Sequence, residues 1–245
     1  MIDVLFRVLT IFPEMFAGPL ENSILKRAQD QGLLEVELIN IRDYSTDKHC
    51  KVDDYPFGGG AGMLMKPEPF FNCFDALNIR SGDRVILMTP QGETFTQEKA
   101  LELSKEAEIT LICGHYEGID ERVKSLVTDE ISLGDFVLTG GEIASMAIID
   151  CVGRLLPGTV GDANSLQEES FNFGLLEYPH YTRPRSFQGW DVPDILLSGN
   201  HQEIRRWRRA MAIARTFFRR PDLLVGVPWE EDDRNTIDQI LSAVP

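Results

Sequence analysis

The sequence has few of the residues from which proteins build metal sites and disulfides. Its 245 residues include only four cysteines and four histidines. They are scattered, without a C-x-x-C pair and without two histidines three or four positions apart. This spacing argues against zinc and against a disulfide framework. We therefore expect isolated thiols in a reducing compartment and no metal site built by the protein alone.

Long hydrophobic runs are also lacking. No stretch reaches the roughly 18 to 20 uninterrupted apolar residues that cross a bilayer, because Asp150 interrupts the best candidate. The N-terminal "MIDVLFRVLTIF" has neither a basic start nor a small-residue cleavage site. We expect a cytoplasmic protein without a membrane partner, and its hydrophobic content of 43% is enough to bury a full core.

Lysine is missing from the one basic segment of an acidic chain. The net charge of −15 argues by itself against a polyanionic partner. Residues 183–220, however, carry nine arginines, no lysine and three acidic residues, and residues 221–245 are acidic again. Arginine is favoured for forked phosphate contacts and for stacking on bases. The localised arginine patch therefore predicts a nucleic-acid partner, although a solvated helix face would show the same bias.

Apolar runs of strand length alternate with amphipathic segments of helix length over the first two thirds of the chain. This alternation predicts an α/β domain with a mostly parallel sheet. In such sheets ligands gather beyond the carboxyl ends of the strands, so the loops at 89–92, 114–118 and 138–142 are the informative ones. The predicted strands are "VLFRVLTIF", "LEVELINI", "RVILMT", "ITLIC" and "FVLT", and the predicted helices lie near 20–30, 67–78, 96–107, 119–127 and after the glycine pair at 140–141.

The pattern changes after "LPG" at 156–158. The polar and proline-rich residues 161–189 predict a flexible interdomain linker between a domain of residues 1–160 and a small helical domain of residues 190–245. Asn200 and the acid three positions later have the spacing of a capping box, which predicts a helix start. One face of that helix carries Ile204, Trp207, Met211, Ala214 and Phe218, and the arginines lie around the other.

Three features leave alternatives open. The glycine-rich "FGGGAGM" at 57–63 lacks the spacing of a phosphate-binding loop, so it is either a loop that approaches a ligand closely or a flexible connector. The glycine pair at 140–141 is either a plain helix start, with Thr139 and Glu142 at capping spacing, or an anion site at a helix N-terminus. Arg154 ends an otherwise apolar helix, where it either complements the helix dipole or serves a function.

Seven motifs follow one another between about residues 4 and 224: "IFPEMFAGPL", "VDDYPFGGGAGMLMKPEP", "TPQGETFTQ", "ICGHYEGIDERV", "SLGDFVLTGGEIASMAIIDCVGRLLPG", "ESFNFGLLEYPHYTRP" and "LLSGNHQEIRRWR". In this order and without large gaps, they resemble the bacterial tRNA (guanine-N1)-methyltransferases, the TrmD type within the SPOUT superfamily. The resemblance implies a parallel α/β domain with a deep trefoil knot in its C-terminal half, followed by a small α-helical domain. True knots are rare, so strand order alone does not predict one.

The resemblance also implies that S-adenosylmethionine is the methyl donor and is held in the knotted loops by backbone groups. This replaces the anion site considered for the glycine pair. The implied cofactor-binding residues are Thr89, Pro90, Gly114, Tyr116, Gly118, Leu133, Gly134, Asp135, Phe136, Val137, Leu138, Gly140 and Gly141.

The target atom sets two chemical requirements. Guanine N1 carries a proton and is weakly nucleophilic, so methyl transfer needs a base at N1 and a cation for the charge that develops at O6. By the resemblance, Arg154 is the cation and Glu169 is the base. The family commonly has Asp at the position of Glu169, which here has Glu168 beside it, and Arg at the position of His115.

The family works as a homodimer with active sites shared between chains, which implies that Arg154 lies at the dimer interface. The tRNA anticodon arm is the implied RNA partner, with the linker ordering when tRNA binds. Any Mg²⁺ is expected to be shared with the substrate, because no side-chain cluster here would hold the ion alone. The candidate RNA-binding residues are Gly59, His115, Arg183, Arg205, Arg206, Arg208, Arg209 and Arg215.

Two rival functions remain at this stage. One is a SPOUT RNA methyltransferase that acts on another atom, such as a ribose 2′-hydroxyl; the linker carboxylate and the "GGGAG" loop argue against it. The other is a non-catalytic RNA-binding protein that keeps the fold, which failure to bind S-adenosylmethionine would favour.

Overall fold

A five-stranded parallel sheet forms the centre of the N-terminal part of the chain. This part of the chain contains, in order, the sheet strands and two strands of a separate ribbon: β1 (Val4–Thr10), β2 (Leu34–Asn40), β3 (Asp53–Asp54), β4 (Leu64–Met65), β5 (Arg84–Thr94), β6 (Glu108–Cys113) and β7 (Asp129–Ser132). The sheet has the order β2-β1-β6-β5-β7, and β3 pairs with β4 in a separate antiparallel ribbon. All pairings within the large sheet are parallel. The predicted α/β class with a parallel sheet is confirmed.

Helices cover the sheet on both faces. They are α1 (Ala17–Leu20), α2 (Ser23–Asp30), α3 (Pro67–Leu77), α4 (Gln97–Leu103) and α5 (Glu142–Gly153). Side chains alternate between the faces along each strand: Ile86 packs in one apolar cluster with α5, whereas Leu87 packs in the other with α3. Because both faces are buried, the central strands β5 and β6 are apolar at successive positions rather than alternating with polar residues.

The computed structural model describes residues 3–161, 169–171 and 174–243. The chain forms two compact units, Met1–Gly161 and Asp162–Pro245. The predicted separate linker over 161–189 stays a prediction.

Two elements of the first unit differ from the sequence prediction. The segment 136–139 ("FVLT") is not a strand; the edge position beside β5 belongs to the preceding residues of β7. Val137 is 85% exposed and Phe136 is 55% exposed, so their apolar character does not reflect burial in the sheet. The helix expected near 119–127 is a 3-10 helix over Glu121–Leu126.

The second unit contains helix α6 (His201–Arg219), helix α7 (Asp233–Ala243) and a short ribbon of β8 (Ser186–Phe187) and β9 (Trp190–Asp191). The predicted start of α6 is confirmed, because the Asn200 side chain accepts hydrogen bonds from the two backbone amides at positions 202 and 203.

The predicted buried face of α6 is wrong by a rotation. Ala212, Ile213 and Thr216 are buried, whereas Phe218 is 65% exposed. The reason is that Leu175, which precedes the helix in the chain, packs into the same apolar cluster. Its neighbour at position 176 also donates a backbone hydrogen bond of 2.8 Å to the Thr216 hydroxyl.

Candidate active site

A cavity of about 370 Å³ lies beyond the carboxyl ends of β6 and β7 and beside residues 87–91 of β5. Segments 87–91, 114–121 and 131–141 supply most of its wall, so all three predicted loops meet there. Its volume lies within the roughly 300–1,000 Å³ that is usual for cofactor sites. The wall includes the predicted cofactor-binding residues Thr89, Pro90, Gly114, Tyr116, Gly118, Leu133, Phe136, Val137, Leu138, Gly140 and Gly141. Gly134 and Asp135 lie in the same loop, outside the lining.

The first wall of the cavity is a bulge in β5. Met88 and Glu93 both pair with Ile131 of β7, so the residues between them loop out of the ladder. Gly92 closes this bulge against β7, where a Cβ would lie 2.3 Å from the carbonyl carbon of Glu130. Only glycine allows the backbone to approach so closely.

The glycine pair at the start of α5 brings the third loop against the second. The Gly141 backbone amide donates a 2.8 Å hydrogen bond to the Gly114 carbonyl, and a Cβ on Gly141 would lie 2.8 Å from the Cα of Cys113. The capping alternative is not what the structure shows, because the helix N-cap is Gly141, without a side-chain cap bond. The glycines are therefore explained by close approach of two backbones rather than by capping.

Glu142 is a residue of this site that sequence reasoning missed. Its side chain is 1% exposed, and one oxygen accepts a 2.8 Å hydrogen bond from the Thr10 hydroxyl. Thr10 ends β1, 132 residues away in the chain, so no local pattern reveals the pair. The only signal was an acidic residue directly after two glycines in an otherwise apolar helix.

His115 lies in the wall of the cavity, next to Glu142. Its ring makes edge contacts with Phe12 and Tyr116, at centroid distances of 4.9 and 5.3 Å. Its backbone also forms an isolated bridge with Gly140. The RNA contact expected for His115 stays a prediction. In the structure, His115 lies at the cofactor-sized cavity.

The glycine-rich loop at 57–63 packs beside segment 114–121, which forms part of the cavity wall. A Cβ on Gly62 would lie 2.2 Å from the Glu117 side chain, and the Glu117 amide donates a 3.1 Å hydrogen bond to the Met63 carbonyl. This contact accounts for the glycine at position 62, and close approach of the loop to a ligand stays a prediction. Gly59 is exposed and left-handed (φ 79°), with open space around its Cβ position.

Arg154 follows the last residue of α5 and is half-buried. It is therefore separated from the glycine pair by the whole helix of 12 residues, about 18 Å at 1.5 Å per residue. It is not among the residues that line the cavity. The predicted catalytic cation thus lies far from the cofactor-sized cavity of its own chain.

Glu169, the predicted base, is half-buried in the second unit and borders a cavity between residues 175–178 and α6. The hydroxyl of the next residue, Ser170, accepts a 3.1 Å hydrogen bond from the Glu177 amide. Glu168, the neighbouring carboxylate considered from the sequence, lies outside the described residues.

Several of the predicted RNA-binding arginines have contacts within the second unit. Arg208 lies over the Tyr178 ring, with its guanidinium carbon 4.7 Å from the centroid. Arg215 donates a 3.1 Å hydrogen bond to the Glu177 carbonyl, and Arg206 pairs with Glu203. These contacts fix the orientation of the guanidinium groups, and they do not by themselves favour an RNA role.

Arg209 has a mainly structural environment. It donates two hydrogen bonds, of 3.1 and 2.7 Å, to the carboxylate of Asp233, which is 2% exposed. Burial alone would raise the pKa of Asp233, but hydrogen bonds from Arg209 and from the Glu230 amide outweigh it, so that the pKa lies below its usual range. By contrast, Arg205 and Arg183 are exposed, and no described residue forms an ion pair or side-chain hydrogen bond with Arg205.

The described residues contain neither a candidate metal site nor a candidate membrane-spanning helix. Among residues 3–161, 169–171 and 174–243, no group of three or more histidine, cysteine or carboxylate side chains is placed to hold a metal ion. Within the same part of the chain, no helix has both the length and the apolar composition to span a membrane.

A parallel α/β sheet with a cavity at the carboxyl ends of its strands is the arrangement in which α/β proteins bind their ligands. Residues 4–226 match the family described as "tRNA (Guanine-1)-methyltransferase TrmD". The chain therefore belongs to this family and is a methyltransferase.

Relatives of similar length support the same assignment. Proteins named tRNA (guanine-N(1)-)-methyltransferase from Dictyoglomus turgidum and Moorella thermoacetica are 57% and 59% identical to this chain, and in both cases the match covers 95% of each chain. The protein of the same name from Staphylococcus epidermidis is 57% identical over 94% of each chain.

Proposed function

We propose that the protein transfers a methyl group from S-adenosyl-L-methionine to N1 of the guanosine at position 37 of tRNA, directly 3′ of the anticodon. The observation that carries this proposal is the family match over residues 4–226. The meeting of the three predicted loops at one cavity supports it as well, because loops at the carboxyl ends of parallel strands are where such sheets bind ligands.

The cavity fits the proposed cofactor in size and chemistry. A volume of about 370 Å³ suits an adenosyl group with an attached amino acid. Glycines at 140 and 141 let backbone groups form the wall where a Cβ would collide. When bound there, S-adenosylmethionine supplies a methyl group on a positively charged sulfonium. The backbone of residues 114–118 and 138–141 would orient it for an in-line attack.

Two side chains would make guanine N1 nucleophilic. Glu169 would take the N1 proton, and Arg154 would stabilise the negative charge that moves to O6. A glutamate can replace the aspartate common in the family because the longer side chain performs the same proton transfer. The target base must leave the stacked anticodon loop to reach the donor, as in other enzymes that modify bases.

The position of Arg154 supports a shared active site. Because the helix α5 separates Arg154 from the cavity of its own chain, we infer that Arg154 acts in the active site of a second copy. A homodimer with two such sites follows from this arrangement. It also explains why an arginine ends a helix that is otherwise apolar nearly all round.

The remaining parts of the proposal concern the knot and the tRNA. We infer that the loops around the cavity are threaded as the trefoil knot of the SPOUT superfamily. The contact of Gly141 with Gly114, across two loops of different strands, supports close threading there. The second unit would bind the anticodon arm through exposed arginines such as Arg205 and Arg183, and the proline-rich residues 179–187 would order on the tRNA.

Methyl incorporation from labelled S-adenosylmethionine into two tRNA transcripts tests the proposal. The transcripts differ only in guanosine or adenosine at position 37. The proposal predicts transfer to the guanosine transcript alone, largely lost in Glu169→Gln. If Glu169→Gln lost cofactor binding to the same extent as methyl transfer, Glu169 would be assigned to cofactor binding instead. Labelling of both transcripts would favour another target atom or position.

A further inference from the structure

Glu142 and His115 face each other at the cavity wall without a completed hydrogen bond. The Nδ1 atom of His115 lies 3.6 Å from Oε2 of Glu142. Both atoms are buried, and neither has a hydrogen-bond partner among the described residues. The other Glu142 oxygen is held by Thr10 at 2.8 Å. The pair is therefore a built site, in which His115 lines the cavity and the Glu142 carboxylate beside it is 1% exposed.

Glycine at position 140 is needed for this approach. A Cβ there would lie 2.3 Å from Oε2 of Glu142 and 2.4 Å from Nδ1 of His115. The edge contacts with Phe12 and Tyr116 restrict the rotation of the imidazole ring. The sequence thus provides space for the two groups and fixes them in a facing orientation.

The charge of this site comes from the carboxylate. An ionised carboxylate only accepts hydrogen bonds, and Glu142 accepts one from the Thr10 hydroxyl. His115 lies beside it in the cavity wall. Glu142 in its ionised form is thus a buried anion next to the cavity.

The proposed cofactor and its product differ in charge at one atom. The methyl donor is a sulfonium cation, whereas the product after methyl transfer is a neutral thioether. A buried negative charge beside the cavity attracts the cation more strongly than the neutral product, because the interaction is screened less than in water. Other charged or titratable groups near the pair and the cavity are Cys113, Tyr116, Glu117, Asp120, Glu121 and Lys124.

We propose that Glu142, together with His115, is a specificity-determining anion that makes the cavity prefer the positively charged sulfonium donor over the neutral thioether product. This inference rests on the proposed function, since it takes S-adenosylmethionine as the ligand. Neither residue needs to contact the sulfonium, because the effect acts through the charge of the buried pair.

Calorimetric titration of the full-length protein with S-adenosylmethionine and with S-adenosylhomocysteine tests the inference. In Glu142→Gln, affinity for the sulfonium donor falls on the order of tenfold, while affinity for the thioether changes by less than about twofold. In the wild type, the sulfonium donor binds more tightly than the thioether. Glu142→Asp keeps the carboxylate, so this variant retains the preference for the donor.

Three results decide against the inference or its basis. Equal weakening of both ligands by Glu142→Gln would mean that the residue only supports the wall. A wild type that binds the thioether as tightly as the donor would also overturn the inference, and this measurement needs no variant to fold. Failure of the wild type to bind either ligand would overturn the proposed function, and the inference with it.

Discussion

Gly141→Ala is the substitution whose effect follows most directly from the structure. The added methyl group would lie 2.8 Å from the Cα of Cys113 and 3.1 Å from the amide nitrogen of Gly114. Both distances are tighter than ordinary contact, and both neighbours are backbone atoms that cannot rotate away. The start of α5 must therefore move away from the end of β6. This movement displaces the cavity wall and weakens the Gly141–Gly114 hydrogen bond.

The expected cost is that of overpacking, about 1–3 kcal/mol. For a chain of this length, this lowers the Tm by roughly 4–8 °C at the middle of that range. Affinity for S-adenosylmethionine should fall about tenfold, since a shift of 1.4 kcal/mol in binding corresponds to that factor. Thermal unfolding and calorimetric titration measure the two effects on the same sample.

Gly18→Ala is the matched control. Gly18 lies in α1, is exposed and has no atom within 4 Å of its Cβ position. The same substitution there should be neutral or stabilise by up to about 1 kcal/mol through the unfolded chain. An unchanged Tm and an unchanged cofactor affinity in Gly141→Ala would refute the close-approach explanation of the glycine pair.

Further predictions concern catalysis, RNA binding and pH. Glu169→Gln should lower kcat strongly in single-turnover assays with little change in cofactor affinity, because it removes a proton acceptor. Glu169→Gln and Arg154→Ala subunits should each be inactive alone, but a mixture of the two should partly recover methyl transfer, because one of the two shared sites in a mixed dimer regains both groups. A mixture that stays inactive would contradict the shared site. Arg205→Ala should reduce the salt dependence of tRNA affinity by a slope of about 1 without lowering the Tm. Arg209→Ala should instead destabilise the fold by about 1–3 kcal/mol, because it leaves the buried Asp233 carboxylate without its donor. Since the folded-state pKa of Asp233 is lowered, its stabilising effect is present above about pH 4 and is lost as pH falls through the folded-state value. The difference in the free energy of unfolding between wild type and Asp233→Asn, measured in urea, should therefore shrink as the pH is lowered.

The sequence predicted the sheet well because buried parallel strands have a strong signature. Segments such as "RVILMT" and "ITLIC" are apolar at successive positions, and they form β5 and β6. The segment "FVLT" has the same composition but forms part of the cavity wall, where Phe136 and Val137 are exposed. Apolar character alone does not distinguish a buried strand from a loop that lines a ligand cavity.

Long-range contacts explain what sequence reasoning missed in the site. Glu142 matched a capping pattern with Thr139, but its carboxylate is held by Thr10 at the end of β1. The buried face of α6 was misplaced for a similar reason, since Leu175 packs from outside the helix pattern. Local spacing predicts local hydrogen bonds, and it carries no information about a partner more than a hundred residues away.

The position of the transferred methyl group tests the central claim most directly. We would digest tRNA methylated by the wild-type protein with labelled S-adenosylmethionine and identify the labelled nucleoside by mass spectrometry. The proposed function predicts 1-methylguanosine from position 37 as the labelled product. Label on a ribose 2′-oxygen, on another base atom or at another position would contradict it.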